Sequence, residues 1–415
     1  MRIEPDSFAY VLLLGMLATV PYSSIDINLP ALAATGTTFG ARASDVGLTV
    51  SAFMVSLATA PLIYGPVSDR FGRKPVLAFG LALFVAASLG CALSSSLQVL
   101  LLCRFIQGIG AAATITIFAI IRDLFAGDAA RTRIANVMVA VNIATVIAPT
   151  AGAALLATAG WRSIYAAQAT MGFMLLVVVM FRFADTATIA PSARLVPTAV
   201  IESYHRVLTH PGSFSYILVG AAGGATVFAY VTGSSLFFVG AVGLSPGQYG
   251  LIFAACSAAV MAGAFLDGRL ARRGISSAGM LATGLTLSAA ASVALLAMTL
   301  TGWMPTGPVA ALLMAVALGF GLSLPNLMSA TMQHLPDIAG SVSAAAGSIQ
   351  LIAGAISSGL VAACFDGRTA FSMTAAMAAS SLLALLLYFL VARPANRRLR
   401  LHTIDTSGAI RNPRC

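Results

Sequence analysis

The residue best placed for chemistry is Asp26, in "VPYSSIDINLPAL", inside a run from Phe8 to Leu32 that could otherwise live in hydrocarbon. An ionised carboxylate near the centre of a bilayer costs roughly 2.5–3.5 kcal/mol on insertion scales, so its presence asks for a role. Arg104 is the cation to set beside it. The first apolar run ends near Leu32, which puts Asp26 about six residues, ~9 Å, from that end. The fourth begins near Gln98 on the same side, so Arg104 also lies about six residues, ~9 Å, inside. Asp26 and Arg104 read as the only charges well within spans, and Asp26 as the only acid there. Two chemistries stay open: a permanent ion pair that fixes helix packing, or a carboxylate that exchanges protons beside an arginine.

A second cluster is "GPVSDRFGRKP", a tight connection between the second and third apolar runs. Gly65 and Gly72 permit close approach and unusual dihedrals. Asp69 can accept from backbone N–H groups at a helix start, while Arg70, Arg73 and Lys74 sit at the headgroups. Asp123 ends the fourth run at the same level. Softer candidates for a polar cavity are Tyr22, one turn before Asp26, and Gln107, nearly one turn after Arg104. Asn142, Asn326 and Gln350 are amides inside the fifth, tenth and eleventh runs, costly unless partnered. Phe228, Tyr230, Phe237 and Phe238 could stack on an aromatic ligand or simply pack.

Other chemistries lack their residues. The only lysine, Lys74, precedes Pro75, so there is no G-K-[ST] phosphate loop and no intramembrane lysine for a Schiff base. His205, His210, His334 and His402 fall in loops or the tail, which argues against an intramembrane metal enzyme. Glu4 and Glu202 lie outside the spans, so no carboxylate pair for acid–base work is visible. Cys91, Cys103, Cys256, Cys364 and Cys415 show no paired spacing and read as apolar fillers or free thiols. No enzyme, cofactor or metal is expected.

The elements that must hold these residues are membrane helices. The 415-residue chain is 59% hydrophobic and 9% charged, with mean hydropathy +0.94, against about 25% charged in soluble domains. Twelve apolar runs long enough to span occur at 8–32, 45–67, 75–94, 98–121, 135–158, 162–183, 214–238, 246–266, 277–300, 308–331, 340–364 and 369–392. Their continuity excludes a β-barrel. The net charge of +10 is explained by placement. With a cytoplasmic N-terminus, the inner side receives nearly all the Arg and Lys, and the outer side only Arg42, Arg162 and Arg368. That positive-inside pattern puts both termini in the cytoplasm and leaves no case for nucleic-acid binding.

Residues 184–213 form the longest polar stretch, with a short surface helix expected over 199–209, and divide the chain six spans from six. The expected units are 1–183, the 184–213 connection, 214–392 and a basic tail over 393–415. "FLDGRLARRGISSAGM" after the eighth span echoes the 65–75 loop in position, as two parallel six-helix repeats would.

"GPVSDRFGRKP" resembles the signature loop of the major facilitator superfamily at Gly65, Asp69, Arg70, Gly72, Arg73 and Lys74. "RFIQGIGAAA" is similar to that family's fourth-helix motif at Arg104, Gln107, Gly108, Gly110 and Ala111. With "SIDINLPAL", "IIRDLFAG" and "GLSPGQYGLIFA", the order resembles the Bcr/CflA branch of drug:proton antiporters. "ATVIAPTAGA" keeps Pro149 and Gly152 of the antiporter fifth-helix motif but has Ala144, Ala148 and Ala153 where glycine is expected. The resemblance implies an all-α fold of two pseudo-symmetric six-helix bundles in a bacterial inner membrane. It implies a monomeric proton-coupled exporter of small amphipathic drugs. It also implies a cytoplasmic latch, formed in the outward-facing state, in which Asp123 pairs with Arg73, and Asp26 and Arg104 beside the central cavity. Two alternatives are a metabolite exporter or symporter, and a non-transporting receptor on the same scaffold.

Overall fold

The computed structural model describes residues 7–125, 127–183, 197–335 and 338–395. Among them twelve helical spans are long and apolar enough to cross a membrane. The first is broken: α1 (Phe8–Asp26), a 3₁₀ turn (Leu29–Ala31) and α2 (Leu32–Phe39). The second joins α3 (Ala43–Thr59) to α4 (Pro61–Phe71), and the third is α5 (Arg73–Ala92). The fourth is α6 (Leu97–Ala112), a 3₁₀ segment and α7 (Ile117–Leu124); the fifth and sixth are α8 (Gly127–Ala159) and α9 (Trp161–Arg182). A connecting helix, α10 (Pro197–Thr209), leads to the seventh span, α11 (Pro211–Ser235), which runs on through a π-helical stretch to Ala241. The rest are α12 (Pro246–Ala271), α13 (Ser277–Leu300), α14 (Thr306–Met332), α15 (Ala339–Ala363) and α16 (Phe371–Leu387), the last also followed by a π-helical turn.

Length and hydropathy make these helices, because backbone groups in hydrocarbon must be paired within the segment. Short polar residues then fix the ends. Ser7, Ser96 and Ser276 accept from the first turns of α1, α6 and α13, and Ser245 and Gln248 form a capping box at α12. Before α16, Asp366 accepts from the Thr369 hydroxyl and from the N–H groups of Arg368 and Thr369. These bonds, the Thr369 hydroxyl first, hold its carboxyl below the usual carboxylate range. Gly72, between α4 and α5, has φ +96°, a conformation that side chains with a Cβ rarely adopt.

The outer surface is apolar, with Leu93 81% and Phe181 77% exposed. α10 is amphipathic. Its Val207 is buried against Ile217, Leu335, Val342 and Ala345, while Glu202, His205 and Arg206 stay exposed. The remainder of the 184–213 connection, residues 184–196, lies outside the described residues. Cys91 and Cys103, with no sequence pairing signal, pack against each other across α5 and α6 as free thiols.

Two helix pairs join the halves, α3 with α15 and α8 with α12. With an even number of described spans, the first span begins and the last one ends on the same side, the termini end. At the opposite end the halves are closed upon each other. Ser51 of α3 bonds Ser358 of α15 at 3.1 Å, Ser358 bonds Thr232 of α11 at 2.6 Å, and the Ser235 hydroxyl donates to the Leu29 carbonyl. Gly250 of α12 lies against Thr150 of α8 there.

Candidate functional site

Asp26 is the last residue of α1. The break has a local cause: Pro30 has no N–H, so the α-helical ladder cannot run through it. Asn28 takes over, its side chain donating to Ser24 O at 2.8 Å and its carbonyl accepting from Ala31 N at 3.0 Å. Helical structure then continues to Phe39, so Asp26 sits at an interruption within the first span rather than six residues from its end. Interrupted helices are where membrane proteins place ion and substrate groups.

Asp26 lines a cavity of ≈ 210 Å³ between the halves. Tyr22, one turn earlier, keeps 39% of its surface accessible to it although the ring lies deep in the protein. α8 completes this wall with Asn142 and Thr145, and the Thr145 hydroxyl is within hydrogen-bonding reach of the Asp26 carboxyl. Asn142, Thr145, Pro149 and Gly152 recur at helical spacing on one face. Gly152 lets that face close on the break, since a Cβ there would overlap the Ile27 carbonyl oxygen. The facing wall comes from α11, α12 and α14, with Phe228, Tyr230, Phe253 and Phe320 prominent. Tyr230 stacks on Phe253 at 5.6 Å. Sequence reasoning missed Thr145, Phe253 and Phe320; for Thr145 the signal was the 142–145–149–152 spacing.

Arg104 shares the level of Asp26 but not its surroundings. It is fully enclosed, donating through Nη1 to Gln107 Oε1 (2.7 Å) and Ser24 O (3.3 Å) and through Nε to Thr49 O (3.4 Å), with Phe53 under the guanidinium at 4.4 Å. No ion pair with Asp26 is formed. Gln107, expected at the cavity, is instead enclosed: it answers Arg104 with its oxygen and bonds Ser88 Oγ and Gln168 Oε1, both at 2.7 Å, with its nitrogen.

Other candidates also fall elsewhere. Asn326 donates at 2.5 Å to Asp267 of α12, and both are buried. Asp267 is therefore a second acid inside a helical span, because α12 continues to Ala271 where the apolar run ends at 266. The expectation that Asp26 is the only one is corrected. Gln350 packs its side chain against Gly224 of α11. Phe237 and Phe238 pack together at 5.2 Å near the closed end, away from the cavity.

At the termini end, Arg73 Nε donates to Asp123 Oδ2 at 3.0 Å and Arg73 Nη1 to Ser68 Oγ at 2.6 Å, tying α5 to α7 and α4. Ser68 had not been singled out. Arg70 instead lies over the Phe71 ring, and Lys74 donates to the Met180 carbonyl at 2.8 Å. The side chain of Asp69, and Gly65, lie outside the described residues.

Residues 11–358 match the family described as Major Facilitator Superfamily. The chain is similar to the "Uncharacterized MFS-type transporter YdgK" of Bacillus subtilis, 31% identical over 92% of this chain and 95% of that one. It is also similar to the "Bicyclomycin resistance protein homolog" of Haemophilus influenzae, 24% identical over 94% and 97%. Among solved structures it superposes on a bacterial homologue of the human lysosomal transporter Spinster with TM-score 0.76, at 16% identity over 94% and 98% of the two chains.

Proposed function

The chain belongs to the major facilitator superfamily, and we propose that it exports small amphipathic compounds in exchange for protons. As a superfamily member it is a multi-pass membrane transporter, not an enzyme. The observation that carries the finer reading is Asp26: an acid at the break of a membrane span, lining a cavity between the halves, with no ion-pair partner among the described residues. A carboxylate so placed gains from a proton or from a ligand charge, and it can exchange one for the other.

The two halves, 1–183 and 214–392, would rock about this cavity by alternating access. The state described is closed at the end away from the termini. Charge placement would put the termini in the cytoplasm of a bacterium, and substrate would load from that end once Arg122 of α7 and Gly340 of α15, which lie against each other there, move apart. Rocking then exposes Asp26 outside, where a proton displaces the substrate. For a neutral substrate, each proton moved at 100 mV supplies about 2.3 kcal/mol, close to fifty-fold accumulation, whereas for a monocation the charges cancel and the pH difference drives export. The Arg73–Asp123 pair, formed in this state between two helices of the first half, would brace the cytoplasmic end of that half as it moves, and the monomer would suffice.

Cells with and without the expressed protein are loaded with a panel of amphipathic drugs, and retention is followed before and after a protonophore. Lower retention that the protonophore restores is expected. Unchanged or higher retention across the panel would sink export.

A further inference from the structure

The cavity has two unlike walls. From α1 and α8 come Tyr22, Asp26, Asn142 and Thr145, all polar, with Ile25 the one apolar contribution. From α11, α12 and α14 come twelve residues, of which only Tyr230, Cys256 and Ser257 carry a heteroatom in the side chain. Tyr230 is 8% exposed, its hydroxyl buried beside the Cys256 side chain. Among the described residues no Arg, Lys or His lines the space. The one nearby cation, Arg104, is enclosed, with two carbonyls, Gln107 and the Phe53 ring about it.

We propose that this cavity takes small organic monocations, the cationic head held at Asp26 by the first half and the apolar body laid on the aromatic wall of the second. The inference rests on reading the cavity as the substrate site, and it names the substrate class. A desolvated carboxylate favours a cation and disfavours an anion. Tyr22, beside Asp26 on α1, adds a ring that suits an alkylammonium or similar head. A neutral compound of the same shape keeps the body contacts and loses the head. Head and body are gripped by different halves, so charge selectivity belongs to α1 and α8, and size selectivity to α11, α12 and α14.

The test uses three probes of one body: (4-phenylbutyl)trimethylammonium, 4-phenyl-1-butanol and 4-phenylbutyrate. Their binding to the full-length protein, purified in detergent, is measured by calorimetry. The cation is expected to bind about tenfold tighter than the alcohol and about a hundredfold tighter than the carboxylate. Asp26→Asn should bring the cation:alcohol ratio to about one with the alcohol little changed. Phe253→Ala should weaken cation and alcohol alike and preserve their ratio. Equal binding of the carboxylate, no binding of the cation to folded wild-type protein, or a ratio that survives Asp26→Asn overturns the proposal. The wild-type series needs no variant to fold. Flux of the cation in proteoliposomes is measured separately. The binding order without flux would sink the transporter reading and leave this inference standing; flux without the order would do the reverse.

Discussion

Arg104 and Asp26 reach the same level of the membrane without pairing: the guanidinium donates to the Ser24 carbonyl, two residues before Asp26, while the carboxyl faces the cavity and Thr145. An ion pair would neutralise both groups and leave nothing for a proton or ligand to exchange. Here the cation is held through Nε and Nη1 by carbonyls and an amide and by a ring inside the first half, its Nη2 buried without a hydrogen-bond partner among the described residues, and the acid's charge is left to the cavity. Structural cation and exchangeable anion are thus separate, and each can be tested alone.

Asp26→Asn keeps the size of the side chain and removes its titration. Wild-type protein in weakly buffered detergent should release protons on adding a transported compound, and the asparagine variant should release none. Uphill export should vanish while downhill flux of a neutral compound persists; Asp26→Glu should keep partial coupling. An asparagine variant that still releases protons and pumps uphill would make Asp26 a structural residue.

Arg104→Ala should chiefly cost stability. It strands Gln107 Oε1, at about 1–3 kcal/mol for a buried group left unpaired, while the Ser24 carbonyl keeps its bond from the Asn28 side chain. Arg104→Lys keeps the charge but donates from one nitrogen and should fall between. Thermal unfolding followed by size-exclusion chromatography should rank wild type above lysine above alanine. An alanine variant as stable as wild type, with altered proton release, would show Arg104 acting on Asp26 through charge instead.

The fold was largely legible because twelve apolar runs admit little else, and the proline of "NLP" marks the break beside Asp26. What hydropathy cannot give is rotation about each helix axis. Depth placed Arg104 and Gln107 beside Asp26, but only packing shows Gln107 turned toward Ser88 and Gln168. Asp267 escaped because Asp267 and Arg269 end the apolar run while the helix runs on to Ala271. The aromatic wall escaped because Phe253 and Phe320 sit in helices apolar on every side, where nothing in the pattern singles out the cavity-facing ring.

Gly152→Ala tests how α8 is held to the broken span. The added Cβ would meet the Ile27 carbonyl, so α8 must withdraw and carry Asn142 and Thr145 with it. Misplacement of about 1 Å can cost a hundredfold in a positioned site, so transport should fall at least about tenfold. Ala153→Gly, which restores the expected glycine one residue on, should be nearly neutral. Equal transport by wild type and Gly152→Ala would show that the helix pair tolerates the shift.

Arg73 and Asp123 are partly exposed, 11% and 27% for the side chains, so their direct contribution to stability is about 0.2–1 kcal/mol. Arg73→Ala and Asp123→Asn should therefore leave substrate binding within about twofold while slowing turnover, since they hold α5 to α7 at the end that must open and close. A tenfold loss of affinity, about 1.4 kcal/mol, with turnover intact would move the pair into the binding site.

The closed end gives the most direct test of alternating access. Ser51 Oγ and Ser358 Oγ are 3.1 Å apart, on α3 and α15 from opposite halves. A disulfide needs Cβ atoms about 3.5–4.5 Å apart and a suitable dihedral, which two hydroxyls in contact come near to meeting. The double variant Ser51→Cys/Ser358→Cys, built with the native cysteines replaced by serine or alanine, should therefore cross-link under mild oxidation. Once linked, the halves cannot part at this end. Substrate added at the termini side should still bind, flux should stop, and a reductant should restore both parting and flux. Each single cysteine variant should keep transporting under oxidation. Full transport by the cross-linked protein, verified as linked by mass spectrometry, would show that the halves need not separate here and that the proposed rocking motion is wrong.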